Sequence, residues 1–372
     1  MRIALVVPGG VDRSGEYRVI PALLALIARL AAQHELHVFA LNQEPADGDW
    51  DLAGARIHNI GARRTRLRAL RAIYALHRAA PFDLVQAIWS GACGLVAVTA
   101  ARILGIPSLI HVAGGELAAL PEIGFGGRLT WRGRMREALV LRGTCAITAA
   151  SAPIIEMLSG LGLSAQRLPL GVDLKQWPPR APRRRDHGRP AKLIHVASLN
   201  RVKDQATLLH ALAALRASGM SFQMEMIGED TLQGAMQTLA GQLGLSGSVN
   251  FRGFLTQREL RPEVEAADLM VVSSRHETGP LALLEAAVAG VPTVGTAVGH
   301  LAEWAPEAAL AVAVGDAAGL ASAIGRLLND EDQRLLIARE ALRRATRENA
   351  DYTAERFHAL YSRLGARLRY VG

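Results

Sequence analysis

The stretch DLMVVSSRHETGPLALLEAAVAGVPTVGT, residues 268–296, contains a predicted strand, a turn, a helix and a second strand in direct succession. Its opening apolar run has the length of a strand, and the helix is predicted to begin at Pro280, whose fixed φ and missing N–H suit the first helical position. At about 100° per residue, Leu281 and Leu284 lie on one apolar stripe, and Glu285 lies inside that stripe, about 40° from Leu281. An unpaired carboxylate on a buried face costs several kcal/mol, so Glu285 is predicted to have a specific partner.

The same alternation of short apolar runs and amphipathic helical stretches extends along the whole chain. Strands are predicted at residues 2–8, 35–41, 83–89, 107–113 and 145–150, and then at 192–199, 223–228, 249–254, 268–274, 291–296 and 309–314. Stretches with apolar residues three and four apart lie between them and are predicted to be helices. This alternation is typical of parallel sheets with helices on both faces, so it predicts an α/β fold with two Rossmann-like, doubly wound domains.

The chain of 372 residues is longer than one ordinary hydrophobic core requires, and its composition changes near the middle. Residues 171–192 contain four prolines and many charges but no apolar period, which is typical of a linker or hinge. The predicted domains are therefore residues 1–170 and residues 171–350, and the last residues, 351–372, form a final helix. Two Rossmann-like domains are expected to face each other across a cleft at the carboxyl ends of their strands, where such folds bind ligands.

The overall composition narrows the class of protein. Hydrophobic residues make up 50% of the chain and charged residues 20%, as in a globular protein, and no apolar run reaches the roughly 18 to 20 residues of a membrane helix. The first residues form an apolar run too short for a secretory signal and fit a first strand better. Cys93 and Cys145 are predicted to be buried free thiols, which favours a reducing cytoplasm. Neither cysteine has a Cys or His at metal-ligand spacing, so no metal site is predicted.

The net charge of +8 comes almost entirely from arginine, because the chain has only three lysines. Two arginine clusters, residues 63–71 and 128–136, suit a partner that carries phosphate or an anionic membrane surface contacted from the cytoplasmic side. The alternative is that both clusters are simply solvated faces of an arginine-rich protein. Nucleic acid is disfavoured as a partner, because aromatic residues make up only 5% of the chain and no stacking motif accompanies the arginines.

The predicted start of the helix in the opening stretch is an anion-binding position. The amino end of a helix presents free N–H groups and a partial positive charge, and the amides of Leu281 and Ala282, with Gly279 in the preceding turn, are the expected phosphate donors. Glu285 lies about 7.5 Å further along the axis, close to the separation of a diphosphate from the ribose hydroxyls of a nucleotide. A carboxylate that accepts both hydroxyls would be satisfied there. Glu277, in the turn before the helix, is predicted to reach the other side of the phosphates.

A second candidate region lies at residues 195–212, where a strand ends near Ser198 and a helix follows Asp204, a residue suited to the N-cap. Arg201 and Lys203 are therefore predicted to lie in a loop between strand and helix. Cations in such a loop can neutralise the charge of a diphosphate leaving group. The alternative is that both are ordinary exposed loop residues.

Two further candidates lie in the first half of the chain. Gly9 and Gly10 follow the first strand, and glycines there let the backbone approach a ligand closely, although a tight turn explains them equally well. They do not form a complete dinucleotide-binding fingerprint. His111 lies in the strand that precedes a second glycine pair, and it is either a catalytic residue or a satisfied core histidine.

Together, these motifs resemble the family of GT-B retaining glycosyltransferases of the family 4 type, over essentially the whole chain. The resemblance is carried by PGGVDRSGEYR at 8–18, PLGVD at 169–173, SLNRVKD at 198–204, ETGPLALLE at 277–285 and VAGVPTVGTAVGHLAEW at 288–304. The stretch at 277–285 keeps the two glutamates that this family separates by seven residues. The combination is specific, whereas any one of the motifs alone would not be.

The resemblance implies a nucleotide-diphosphate sugar as the donor substrate and a sugar or lipid-linked hydroxyl as the acceptor, with no cofactor and no bound metal. It implies that Glu285 binds the ribose, Glu277 the sugar hydroxyls and Lys203 the diphosphate. It also implies that the first domain binds the acceptor and the second the donor, and that the final helix packs back onto the first domain. Retention of configuration without an evident protein nucleophile suggests a front-face reaction, in which the leaving phosphate deprotonates the acceptor.

The sequence departs from the family pattern at three positions. Ser198 stands where the family usually has an arginine, and Arg201 is the residue that could supply that charge. Pro280 replaces a common glycine and removes one potential phosphate donor. Ala113 and Gly114 stand where a His-Gly or His-Asp pair is usual, so His111, two residues earlier, is the candidate active-site histidine.

Two other functions are compatible with these residues. A sugar-nucleotide epimerase can have the same fold and bind the same donor, but it needs no acceptor. A catalytically silent subunit that binds sugar or nucleotide would keep the binding residues without the chemistry. Incubation with the donor alone, and then with donor and acceptor, separates these functions from a transferase.

Overall fold

The computed structural model describes the backbone of residues 1–369 and the side-chain environment of residues 1–366. The last residues of the predicted final helix, 370–372, lie outside the described part. The chain forms two compact units. The N-terminal unit comprises Met1–Gly171 together with Ala350–Gly372, and the C-terminal unit comprises Val172–Asn349.

The N-terminal unit is built on a sheet in the order β3-β4-β2-β1-β5-β6-β7-β8. Its strands are β1 (Arg2–Val7), β2 (Glu35–Ala40), β3 (Gly48–Leu52), β4 (Ala55–Asn59), β5 (Leu84–Ile88), β6 (Ser108–Val112), β7 (Ala146–Ala149) and β8 (Gln166–Arg167). All neighbouring pairs are parallel except β3 and β4, which pair antiparallel. The central strands are buried along their length, as expected when both faces of a parallel sheet are covered.

Helices cover both faces of this sheet. They are α1 (Pro21–Ala31), α2 (Thr65–Ala79), α3 (Ala92–Leu104), α4 (Trp131–Gly143), α5 (Ala152–Gly160) and α13 (Ala350–Arg369). Residues of α2 to α5 share one buried apolar cluster, and residues of α1 and α13 share the cluster on the other side. Because α13 contributes Phe357, Leu360 and Tyr361 to that second cluster, this helix is part of the N-terminal unit.

The C-terminal unit is a parallel sheet in the order β11-β10-β9-β12-β13-β14. Its strands are β9 (Ala191–Val196), β10 (Phe222–Ile227), β11 (Val249–Gly253), β12 (Leu269–Val272), β13 (Thr293–Thr296) and β14 (Leu310–Val312). Its helices are α6 (Gln205–Ala217), α7 (Ala235–Gln242), α8 (Gln257–Ala266), α9 (Leu281–Val288), α10 (Gly299–Trp304), α11 (Ala317–Asn329) and α12 (Glu331–Arg347). The strand order changes direction between β9 and β12, and parallel α/β sheets bind ligands beyond the carboxyl ends of the strands at such a point.

The structure differs from the sequence predictions in several local respects, and one is the short strand β8, which was not predicted. The hairpin of β3 and β4 was not predicted, because its residues GDWDL and ARIHN alternate polar and apolar side chains at a sheet edge and form no apolar run. Cys93 is buried as predicted, but the prediction for Cys145 was wrong, because that thiol is exposed. Helix α9 begins at Leu281, so Pro280 is its N-cap residue and not its first helical residue.

In the described part of the chain, no helix combines the length and the apolar character required to cross a membrane.

Candidate functional site

Two loops at the carboxyl ends of β9 and β12 contact each other, because these strands are neighbours in the sheet. The Ser273 hydroxyl donates to the backbone oxygen of Lys203 at 2.8 Å. The Arg275 amide donates to the backbone oxygen of Val202 at 2.7 Å. These hydrogen bonds fix the loop that carries Lys203 against the loop that carries Glu277.

The two loops bring Lys203 and Glu277 into direct contact. The Lys203 ammonium lies 2.5 Å from the Glu277 carboxylate, and the same carboxylate oxygen accepts from the Ser274 hydroxyl at 2.7 Å. Both charged side chains are partly exposed, with 25% of the Lys203 side chain and 12% of the Glu277 side chain accessible. The pair is therefore held in place but remains within reach of a ligand from solvent.

The helix that follows the Lys203 loop begins as the sequence predicted. Asp204 is the N-cap of α6, and its carboxylate accepts from the Thr207 amide. The carboxylate also accepts from the Arg275 guanidinium at 3.2 Å, which joins the same two loops at a second point. Arg201, which was predicted to face a diphosphate, has an exposed side chain in the turn before this helix.

The amino end of α9 lies directly after the Glu277 turn. Pro280 has extended backbone angles, and the helix begins at Leu281. The first amides of a helix have no partner within the helix, so the amides of Leu281 and Ala282 are available as donors. Both residues are only partly buried, as is Gly279 in the turn. Gly279, Leu281 and Ala282, whose amides were predicted to bind phosphate, thus lie together beside the pair of Lys203 and Glu277.

Gly299 determines how closely the next strand-end loop approaches this turn. Its φ is +48°, and a Cβ atom there would lie 3.0 Å from the backbone oxygens of both Glu277 and Thr278. A larger residue would therefore push the Glu277 turn away and would also adopt a conformation that L-residues rarely occupy. The stretch after β13, which carries part of the family resemblance, supports the turn by this close packing.

Glu285 lies in the buried stripe of α9 that its sequence spacing predicted, with only 4% of the residue exposed. Its partner in the structure is Gln257, at the start of α8, and not a basic residue. The side-chain oxygen of Gln257 accepts in turn from the Trp177 indole N–H at 2.7 Å. Burial raises the pKa of Glu285 to about 7, and the hydrogen bond with Gln257 opposes that rise only in part. The carboxyl group is therefore close to its titration midpoint near neutral pH.

Beneath the strand-end loops lies His195, which sequence analysis did not single out. The ring is buried, its Nδ1 lies 2.9 Å from the backbone oxygen of Val271, and its Nε2 lies 3.1 Å from the side-chain nitrogen of Gln205. Burial lowers the pKa of His195 to about 4, so the ring is neutral. The Gln205 amide also donates to the backbone oxygen of Ser198, so this pair supports the start of the Lys203 loop.

Gly9 and Gly10 lie in the N-terminal unit, at the end of β1. Gly10 has a φ of +80°, and its carbonyl accepts from the Ile20 amide at 3.0 Å, which closes the loop between them. The Val11 amide donates to the side-chain oxygen of Gln43 at 3.0 Å. These contacts define a hydrogen-bonded turn, and its predicted role in ligand binding stays a prediction.

His111 lies inside the N-terminal unit, in β6. The ring is 0% exposed, its Nδ1 lies 2.9 Å from the Thr148 hydroxyl, and it packs edge-on against the Phe357 ring at 5.7 Å between centroids. Burial lowers the pKa of His111 to about 3. This environment is that of a neutral core residue, and the catalytic role stays a prediction.

His111→Ala is expected to lower the free energy of unfolding by about 2–4 kcal/mol, because it leaves a cavity in a packed core. Nucleotide affinity, which is predicted to depend on the other unit, should not change. Urea unfolding and calorimetry measure the two quantities. Thr148→Val should cost about 1–3 kcal/mol, because it removes the hydroxyl that contacts the buried Nδ1 of His111. Loss of turnover in His111→Ala at unchanged stability would instead favour the catalytic role.

Several residues of this region carry no recognisable sequence signal. Ser273, Ser274 and Gln257 act through hydrogen bonds that only the folded chain brings together. The adjacent serines at the end of a predicted strand are the one hint that sequence offers. No group of three or more His, Cys, Asp or Glu side chains in the described residues is arranged to hold a metal ion.

Each of the two α/β units is built on a mainly parallel sheet, and the C-terminal unit carries charged loops and a helix amino end beyond its strands. These features are those of the GT-B class of fold. Residues 180–349 match the family described as Glycosyl transferases group 1, and residues 19–171 match the Glycosyl transferase 4-like domain. The chain belongs to the group 1 glycosyltransferases of GT-B fold. The family and the fold class predicted from the sequence are both confirmed.

Known proteins similar to this chain include members of this family. A D-inositol 3-phosphate glycosyltransferase of Corynebacterium urealyticum is 32% identical over 211 residues, which cover 52% of this chain and 50% of that protein. The chain thus spans about half the length of the curated relatives it matches. The structure of sucrose-phosphate synthase from Thermosynechococcus elongatus has a TM-score of 0.80 at 20% identity and covers 98% of this chain and 100% of its own. That of Anabaena HepE with UDP-glucose has a TM-score of 0.75 at 18% identity and covers 97% and 99%.

Proposed function

We propose that the protein is a retaining glycosyltransferase that moves a hexosyl group from a nucleotide-diphosphate sugar to an acceptor hydroxyl. The observation that carries the proposal is the contact of Lys203 with Glu277 beside the amino end of α9. A cation, a carboxylate and free helix amides at one strand-end edge provide groups for a diphosphate and for sugar hydroxyls. Membership of the glycosyltransferase family supports the same reaction class.

In this proposal the C-terminal unit binds the donor. The amides of Gly279, Leu281 and Ala282 bind phosphate oxygens, and Lys203 and Arg201 supply positive charge. Glu285 accepts hydrogen bonds from the ribose hydroxyls. A carboxylate accepts two such bonds better than a protonated carboxyl does, so ribose binding and ionisation of Glu285 are coupled.

The proposed chemistry uses no metal ion and no cofactor. As the bond between the anomeric carbon and the diphosphate oxygen breaks, negative charge builds up on the diphosphate, where Lys203 and the α9 amides stabilise it. The acceptor oxygen attacks from the same face, and its proton passes to the leaving phosphate oxygen. Glu277 binds a hydroxyl of the transferred sugar, in exchange for part of its contact with Lys203 and Ser274.

The acceptor is proposed to be a hydroxyl of a glycan, a lipid-linked sugar or a small molecule, bound by the N-terminal unit. A cytoplasmic location, with peripheral contact to an anionic membrane, accords with the arginine clusters of that unit. HepE has been crystallised with UDP-glucose, which makes UDP-glucose the first donor to test here.

A nucleoside diphosphate that binds the folded protein is expected to raise its melting temperature by several degrees, because saturation at a hundredfold above Kd stabilises the folded state by about 2.7 kcal/mol. The screen compares UDP, GDP and ADP and their sugar conjugates by differential scanning fluorimetry. A labelled donor, incubated with and without acceptor glycans, then reports transfer. Conversion of the donor alone into its epimer would identify an epimerase, and binding without turnover of any donor would identify a silent subunit.

A further inference from the structure

One surface of the N-terminal unit has no part in the proposed donor site. We call the outward surface of α2, α3 and α4 the α2–α4 face. These helices lie side by side on one face of the sheet, since their inward residues share a single apolar cluster. At Gly94 a Cβ atom would lie 2.6 Å from Val140, so α3 and α4 pack in close contact. The face is thus a continuous surface and not three separate ridges.

The charged residues of the three helices of the α2–α4 face are almost all arginines. The three helices carry nine arginines and a single acidic residue, Glu137, which is fully buried. The arginines are Arg66, Arg68, Arg71, Arg78, Arg102, Arg132, Arg134, Arg136 and Arg142. No acidic side chain of these helices reaches the surface, and the exposed Asp47 of a neighbouring loop pairs with Arg68 alone, at 2.7 Å, among the arginines of the face. The face is therefore strongly positive.

The same face exposes large apolar side chains. Half of the exposed large hydrophobic residues in the described part of the chain lie on these three helices. They are Leu67, Tyr74, Ile103, Trp131, Met135 and Leu139. Trp131, Met135 and Leu139 follow one another at intervals of four and form one stripe along α4, with 55–64% of each residue exposed. A stripe of this kind on a helix surrounded by arginine is typical of an interfacial helix.

A groove of about 590 Å³ opens between α2 and α3 on this face. Leu67, Leu70, Leu95 and Val96 line it, and Arg64 and Arg66 lie in its wall. An apolar floor beside two guanidinium groups matches a lipid, whose acyl chain is apolar and whose headgroup carries phosphate.

We propose that the α2–α4 face docks on an anionic phospholipid bilayer, with Trp131, Met135 and Leu139 inserted into the headgroup region and the arginines on lipid phosphates. Charge complementarity selects this occupant, because a lipid bilayer offers negative charge and an apolar layer at adjacent depths. A nucleic acid would satisfy the arginines but leave the apolar stripe without a partner. Docking does not depend on the transferase reaction and can be tested without it.

Docking would place the membrane next to one edge of the sheet. Helices that connect parallel strands begin at the carboxyl edge of the sheet, so the amino ends of α2, α3 and α4 lie together there, with Leu67 and Trp131 in their first turns. Rossmann-like domains bind ligands at that same edge. An acceptor anchored in the bilayer would therefore reach the N-terminal unit without leaving the membrane.

Co-sedimentation of the full chain with vesicles tests the proposal. We expect binding to phosphatidylcholine vesicles that contain phosphatidylglycerol, weak binding to phosphatidylcholine alone, and loss of binding at about 1 M salt, where the Debye length falls to about 3 Å. Acrylamide quenching of tryptophan fluorescence should fall on binding, because Trp131 is 59% exposed whereas Trp50, Trp177 and Trp304 are buried. Trp131→Phe should remove that protection.

Two surface variants separate the charge from the apolar stripe. Replacing Arg66, Arg71, Arg78 and Arg132 by glutamine should lower vesicle affinity by on the order of a hundredfold or more, since each arginine near an anionic surface contributes about fivefold. Trp131→Ser with Leu139→Ser should weaken binding at low salt as well. All six residues are exposed, so the melting temperature should stay unchanged and a loss of binding cannot be attributed to unfolding.

The matched control is α12, which also exposes a leucine and an arginine but carries surface acids. Leu336→Ser with Arg339→Gln should leave vesicle binding unchanged, because the exposed Asp332 and the partly exposed Glu340 lie on the same helix. Equal loss of binding in this control and in the α2–α4 variants would overturn the proposal. So would absence of binding to anionic vesicles at low salt, or tighter binding to duplex DNA or to an acidic protein than to vesicles.

Discussion

Glu285→Gln is expected to reduce nucleotide binding by at least tenfold and, in the absence of nucleotide, to make the folded protein more stable above pH 7. The first effect follows from the proposed ribose contact, because glutamine replaces one of the two charged acceptor oxygens of the carboxylate by an NH2 group that only donates. The second follows from burial. Glutamine keeps the shape of the side chain and can hydrogen-bond with Gln257, but it never has to carry a charge in the core of α9.

The pH dependence of this effect has a definite sign. Burial raises the pKa of Glu285 to about 7 from an ordinary value of 4.5, so the folded state holds the proton more tightly than the unfolded state does. The stability that this proton provides is fully present below about pH 4.5 and is lost as the pH rises to about 7 and beyond. The variant should therefore match the wild-type protein below about pH 4.5 and exceed its free energy of unfolding by about 3 kcal/mol at pH 8.

Urea unfolding at pH 5 and pH 8 measures the stability difference, and calorimetry with the nucleotide identified by the melting screen measures the affinity. Glu307→Gln is a suitable control, because Glu307 is an acid of the same unit with 60% of its side chain exposed. Its substitution should change neither quantity appreciably. Unchanged nucleotide affinity in Glu285→Gln would rule out the ribose contact, even if the stability gain were observed.

Lys203→Ala is expected to lower kcat by roughly 10²- to 10³-fold, the range found when one preorganised charge-stabilising group is removed from an active site. Negative charge on the diphosphate increases between ground state and transition state, so the loss should fall mainly on kcat and less on KM for the donor. The substitution should also lower the free energy of unfolding by about 1–3 kcal/mol, because both side chains are mostly buried and the Glu277 carboxylate loses its charged partner.

Steady-state transfer from a labelled donor, with the melting temperature measured alongside, tests this prediction. Lys192→Ala removes an exposed lysine from β9 in the same unit and should leave kcat unchanged. If Lys203→Ala raised KM for the donor while kcat stayed constant, the lysine would contribute uniform binding only, and the proposed stabilisation of the leaving group would be wrong.

Much of the architecture could be predicted from local pattern. Short apolar runs gave the central strands of both sheets, because strands buried on both faces leave a signal that needs no knowledge of their neighbours. The edge hairpin of β3 and β4 left no such signal, since edge strands are half-exposed and polar. The exposure of Cys145 was missed because its small and apolar neighbours suggested burial. Neighbours in sequence do not show at which residue a strand enters the core.

The sequence by itself determined that Glu285 lies on the buried side of its helix and that a helix starts between it and Glu277. Both predictions rest on helical periodicity and on one proline, which are local features of the sequence and do not depend on the rest of the chain. Only the tertiary structure decided that Glu277 contacts Lys203, that Gln257 is the partner of Glu285 and that His111 packs against a helix from the far end of the chain. These pairs are separated by 74, 28 and 246 residues, and no local pattern specifies which distant side chains a sheet will bring together.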